Sequence, residues 1–242
     1  MPPSKVQVLL LRAPGTNCDA ETTFAFEQAG AAVTSIHIHT LSRSPQVLQR
    51  HAILVVPGGF SYGDYLRCGA IAGFSPVMQS VIEAAHAGMP VFGICNGFQI
   101  LCETGLLRGA LIRNRSLLFL CQPVYLKLEN NHTPFTRLSE EGAILRMPIA
   151  HGEGAYYADD QTLKELEEGG QVVFRYVNET GEPTPEANPN GSRNNIAGIC
   201  NPAGNVLGLM PHPDRSWDQR LGSEDGLQLF RSLVDTLLSV AA

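Results

Sequence analysis

Short, almost wholly aliphatic runs recur through the first half of this chain, and each gives way to a stretch with helical spacing. Val6 to Leu11 has too little polar character to sit with one face in water, so it reads as a strand buried on both sides. A helix follows, with Asn17 or Asp19 available to cap it, Phe24, Ala25 and Phe26 as apolar surface and Gly30 to end it. Ala32 to Ile38 reads as the next strand, Pro45 to Arg50 as a short helical segment, and Ala52 to Val56 as a third strand stopped by Pro57, Gly58 and Gly59. The crossover then repeats: helix Val77 to Ala87, a turn at Gly88 and Pro90, buried strand Val91 to Ile94, helix Asn96 to Glu103. Such alternation is the signature of a parallel sheet with helices on its faces.

The second half reads differently. Ser116 to Leu128, Gln171 to Val177, Ile196 to Cys200 and Val206 to Met210 are strand-like with no long helix between them, so the sheet is expected to turn antiparallel there. Asn178 to Asn195 carries three Pro and two Gly and reads as a loop, too long to be a casual connection. Glu224 to Val240 closes the chain as a helix, with Leu227, Phe230, Leu233, Val234 and Leu237 as its core stripe. No repeat or linker divides residues 1–242, which predicts a single-domain α/β fold: an open, mixed, mainly parallel sheet flanked by helices.

With 17 Lys and Arg scattered along a chain of net charge -6, a nucleic-acid surface is not expected. No apolar run is long enough to cross a bilayer and no basic-then-apolar leader begins the chain, so a soluble, cytoplasmic protein with no membrane partner is expected. None of the six cysteines stands in a C-x-x-C pair, which argues against disulfide or zinc chemistry and leaves each as core filler or reactive thiol.

Cys95 has the best claim to reactivity. In Gly93-Ile94-Cys95-Asn96-Gly97 it sits where a buried strand turns into a helix, with a glycine two residues to either side. That is the cysteine form of the nucleophile elbow. The helix dipole favours thiolate at such a position, and the following N–H, here of Asn96, points where an oxyanion would form. A base is needed as well. His37 and His39 alternate as the polar face of a strand, while His51, His86 and His132 read as solvated. His151, in Ala-His-Gly-Glu-Gly, and His212, in Met-Pro-His-Pro-Asp, follow apolar segments and stand in tighter contexts. His212 follows a strand whose C-terminal end should share the ligand edge with Cys95, and Asp214 can orient its ring. Pro57-Gly58-Gly59-Phe60 fits neither a P-loop nor a dinucleotide fingerprint; an N–H from Gly59 or Phe60 can instead join that of Asn96.

These features together resemble the triad-type, or class I, glutamine amidotransferases, whose sheet is flavodoxin-like. More narrowly, GGFSYGDYLRCGA from Gly58, AHGEG from Ala150 and NGSRNNIAGICNPAGNVLGLMPH from Asn190 are similar to the glutaminase subunits of phosphoribosylformylglycinamidine synthase. The resemblance implies attack by Cys95 on L-glutamine, proton transfer by His212, oxyanion donors at Gly59 and Asn96, and glutamine held by Gln99 and the backbone of His151, Gly152 and Glu153. Asn17, Asn114 and Ser116 are further candidates. It also implies no metal or cofactor in this chain, and a synthase subunit carrying ATP and magnesium, with a small bridging subunit beside it. The loops Ser61 to Cys68 and Asn178 to Asn195 are the expected contact surface. In one respect the chain departs from the pattern: the family generally has Glu two residues after the histidine, one methylene longer than Asp214.

Overall fold

The computed structural model describes residues 5–240. Its first half follows the alternation read from the sequence: β1 (Gln7–Arg12), α1 (Asp19–Gln28), β2 (Ala32–His37), α2 (Ile38–Arg43), a 3-10 turn at Pro45–Arg50, β3 (Ile53–Val56), α3 (Ala70–Gly73), α4 (Val77–His86), β4 (Val91–Ile94) and α5 (Asn96–Glu103). The second half contains β5 (Ala110–Ile112), β6 (Leu120–Leu128), β7 (Ile144–His151), β8 (Ala155–Tyr157), α6 (Asp160–Glu168), β9 (Val172–Val177), β10 (Ile196–Cys200), β11 (Val206–Leu209) and α7 (Leu227–Val240).

One sheet runs through the molecule in the order β2-β1-β3-β4-β11-β10-β9-β6-β7. The first five strands are mutually parallel, and the later pairings, from β11 to β10 onward, are antiparallel. Only β10 and β6 therefore run against the rest. β5 and β8 form a separate two-stranded ribbon. Every residue of β3, β4, β10 and β11 is buried, as expected for central strands covered on both faces. Phe92 of β4 points to the side closed by α1 and α7, where it meets Phe230, and Phe26 packs edge-on against Phe230 with centroids 4.8 Å apart. The neighbouring Gly93 faces α5, where an added Cβ would collide with Gly97 and Leu101.

Four local expectations need correction. The second half does hold a helix, α6, started by an Asp159 side chain that accepts from the Thr162 N–H (2.8 Å). Neither Asn17 nor Asp19 caps α1: Cys18 occupies that position without a side-chain capping bond. Phe24 faces outward and stacks on Trp217 instead of joining the core. His37 and His39 do not alternate along one strand, because β2 ends at His37, whose Nδ1 accepts from the His39 N–H and starts α2. No helix among the described residues is long and apolar enough to cross a membrane.

Candidate active site

β4 is followed at once by Cys95, whose φ of 50° and ψ of -103° are costly for any residue bearing a Cβ. The elbow persists because its surroundings leave no alternative. The Cys95 N–H donates to the Leu209 carbonyl (2.8 Å), and α5 starts at once and lies so close to β3 that a Cβ on Gly97 would fall 1.8 Å from the Val56 oxygen. The parallel register of Ile94 with Leu209 then puts the ends of β4 and β11 side by side. Three residues beyond Leu209, His212 is fixed by its N–H donating to the Pro148 carbonyl (2.8 Å), and it borders one cavity with Cys95.

His212 Nδ1 lies 3.1 Å from Asp214 Oδ1, and Thr22 Oγ1 lies 2.9 Å from Asp214 Oδ2. The shorter carboxylate reaches the ring because Pro213–Arg215 forms a 3-10 turn directly after the histidine. Thr22 Oγ1 is also 2.6 Å from the Cys18 carbonyl, so its one proton serves one acceptor at a time. His212 and Asp214 are both almost wholly buried. Burial opposes a charged imidazole, but the Cys95 sulphur and the Asp214 carboxylate outweigh it and push His212 up to about 10. A cation beside the sulphur is what stabilises a thiolate nucleophile.

The cavity holds about 260 Å³, and Asn17, Gly59, Phe60 and Ala150 share its wall with the two catalytic candidates. Of the two possible donors after β3, the Phe60 N–H is already spent on the Gly15 carbonyl (2.9 Å). That leaves Gly59, with a φ of 153° that favours glycine, to accompany the Asn96 N–H at the start of α5. Gln99 is committed to the protein: its Nε2 donates to the Glu153 carbonyl (2.6 Å) and its Oε1 accepts from Asn96 Nδ2 (2.8 Å). The Glu153 carboxylate is turned away to accept from the Cys68 N–H (3.1 Å). His151 is buried, with Nδ1 3.0 Å from Asn114 Oδ1. Asn114 Nδ2 donates to the carbonyls of His151 and Leu118, which fixes the amide and makes His151 Nδ1 the protonated nitrogen. Burial and the nearby His212 lower His151 to about 4.

The family model described as CobB/CobQ-like glutamine amidotransferase domain matches residues 5–233. The phosphoribosylformylglycinamidine synthase subunit PurQ of Chlorobaculum tepidum is 54% identical over 220 residues, covering 91% of this chain and 92% of that protein. The chain belongs to the glutamine amidotransferase family. The subunit of the same name from Moorella thermoacetica is 53% identical over 222 residues, covering 92% of each. Among solved structures, PurLQS from Thermotoga maritima superposes with a TM-score of 0.83 at 41% identity, covering 96% of this chain and 99% of that one.

Within this amidotransferase fold the structure brings Cys95, His212, Asp214, Gly59, Phe60 and Asn96 to one place. Gln99, His151, Gly152 and Glu153 lie behind them as a hydrogen-bonded layer. Asn17 borders the cavity, Asn114 lies beneath it, and Ser116 is exposed with its Oγ near the Leu118 N–H. Thr22 had no sequence signal, since it meets Asp214 across 192 positions. Cys18, His212 and Asp214 offer ligand atoms within 4.8 Å of one another. A cation there would face the Arg215 guanidinium, 3.1 Å from Cys18 Sγ, and His212 and Asp214 are already spent on each other.

Proposed function

We propose that this chain is the glutaminase of a phosphoribosylformylglycinamidine synthase complex in purine biosynthesis, with Cys95, His212 and Asp214 as its catalytic residues. The observation that carries this reading is the convergence of a strained elbow thiol and a carboxylate-held imidazole on one cavity.

The Cys95 thiolate attacks the side-chain amide carbon of L-glutamine, and the oxyanion is received by the N–H groups of Gly59 and Asn96. Donors of this kind are worth about 3 kcal/mol each in the transition state. Collapse breaks the C–N bond, and the His212 imidazolium gives its proton to the departing nitrogen, releasing ammonia and leaving a thioester on Cys95. The now neutral His212 takes a proton from water, whose oxygen attacks the thioester and frees glutamate. Asp214 stabilises the imidazolium in both halves of the cycle.

No step needs a metal or cofactor from this chain. ATP and magnesium belong to a synthase subunit that converts formylglycinamide ribonucleotide to the amidine, with a small bridging subunit completing the assembly. The name PurLQS of the Thermotoga structure supports this association.

Glutamate release, measured with and without the synthase subunits, tests the reading. Cys95→Ser and His212→Asn should each lower kcat by roughly a thousandfold or more. Glutamate release by Cys95→Ser at the wild-type rate would overturn it.

A further inference from the structure

Three of the six cysteines border the catalytic cavity, Cys18, Cys95 and Cys121, and the mechanism uses only Cys95. Cysteine is among the residue types most often buried, and five of the six here are. Cys121 is the exception, exposed at the wall of the cavity that holds the nucleophile.

The strand pairing turns Cys121 toward that cavity. It stands directly opposite Ala150 in the antiparallel β6–β7 ladder, and opposed residues of such a pair carry their side chains on the same face. Ala150 borders the cavity too, and its carbonyl oxygen lies 3.7 Å from Cys95 Sγ, so the two cysteines are neighbours of one residue. Cys18 is held differently. Its thiol donates to Asn17 Oδ1 (3.2 Å) and lies 3.1 Å from the Arg215 guanidinium, while burial and the Asp214 carboxylate push it well above the usual thiol range. A thiol kept protonated in this way is a poor nucleophile. The Cys95 thiolate, by contrast, is the form that a hydroperoxide oxidises as readily as it attacks an amide.

We propose that Cys121 is a resolving thiol for Cys95: once a hydroperoxide has oxidised the nucleophile, the two close as a disulfide and switch the chain off reversibly. This rests on the reading of Cys95 as the glutaminase nucleophile. In the first step the Cys95 sulphur attacks the peroxide, the O–O bond breaks, and a sulfenic acid is left on Cys95 with water or an alcohol as the departing product. In the second the Cys121 sulphur attacks the sulfenic sulphur, the S–O bond breaks, and the Cys121 proton leaves with the hydroxyl as water. One peroxide thus takes up the electrons of both thiols, and a dithiol reductant returns them. Without Cys121 the sulfenic acid stays open to a second peroxide, which carries it to the irreversible sulfinic acid. The elbow is fixed by its backbone, whereas Cys121, Gln122 and Pro123 at the start of β6 are exposed, so closure moves that strand end toward Cys95.

The test treats the reduced full chain with hydrogen peroxide and then removes it. Disulfides are mapped by mass spectrometry under non-reducing conditions, and glutamate release is measured with the synthase and small subunits added, before and after dithiothreitol. Wild type should give a Cys95–Cys121 bridge within one chain, lose glutamate release and regain it on reduction. Cys121→Ser, at an exposed position, should match wild type before oxidation, then lose the recovery and carry sulfinic acid on Cys95. Recovery by Cys121→Ser equal to that of wild type, or a bridge from Cys95 to Cys18, would overturn the proposal. Failure of the glutaminase reading would look different: reduced, untreated wild type would release no glutamate even with its partners present.

Discussion

Asp214 is placed to serve as the proposed third catalytic group because two short-range facts compensate for its missing methylene: a tight 3-10 turn brings its carboxylate to His212, and Thr22 from α1 lies within hydrogen-bond distance of the other oxygen. Thr22→Val keeps the shape and removes the hydroxyl. A hydrogen bond to a buried carboxylate is worth about 1.5 kcal/mol or more, so kcat should fall about tenfold with KM little changed. A change confined to KM would show that Thr22 acts on substrate binding instead. His151 predicts a pH effect. Its folded value near 4 lies below the ordinary 6.5, so the unfolded chain binds the extra proton between those limits. Stability is therefore complete above about pH 6.5 and falls toward pH 4, by about 3 kcal/mol for a shift of this size. His212, raised instead, is protonated in both states only well below pH 6.5; near and above that value it adds a slope of the opposite sign, which is the same in wild type and in a His151 variant. Urea titrations from pH 7 to 4 should give a shallower decline for His151→Gln; identical declines would contradict the assignment. Cys95 and His212 were legible in the sequence because elbow and proline-bracketed histidine are local patterns. Thr22 was not, because its partner lies 192 positions away, and Asn114 was indicated only by the family resemblance, its contact with His151 spanning 37 positions.

At the scale of elements, the sharp turn from β4 into α5 depends on the close approach of that helix to β3. Gly97→Ala puts a methyl carbon against the Val56 oxygen and should cost several kcal/mol, about 3 by analogy with overpacked cores, seen as a lower urea midpoint at unchanged slope. A midpoint within error of wild type would mean that β3 and α5 can separate cheaply. β4, α5 and β10 could be read from sequence to the residue, because β4 and β10 are short apolar runs and α5 begins directly at the elbow. β7 was hidden by Pro148, which reads against a strand, but β7 is the last strand of the sheet and its outer edge needs no ladder donor there. α6 buries only Leu163 and Leu166, too few apolar positions to announce a helix.

In the whole molecule, a 2-1-3-4 strand order lets β1, β3, β4 and β11 deliver loops to one edge of the sheet, and α1 and α7 close the face behind them. Phe230 bridges Phe26 and Phe92 across that face, so Phe230→Ala should cost about 3–5 kcal/mol of stability. The activity per folded molecule should be unchanged, as measured at a temperature where the variant is still native; a loss of kcat there would make α7 part of the catalytic frame. The parallel half of this architecture follows from hydrophobic runs and crossovers, whereas the order of the antiparallel strands depends on long-range pairings that no local pattern encodes. The central claim, that a nearly buried thiol is the nucleophile, is tested most directly by treating the chain with a glutamine-mimicking electrophile and mapping the adduct by mass spectrometry. Accessibility alone favours Cys121, the one exposed cysteine, over Cys95 at 5%. The account predicts modification at Cys95, suppressed by excess glutamine; an adduct on Cys121, or one at Cys95 indifferent to glutamine, would contradict it.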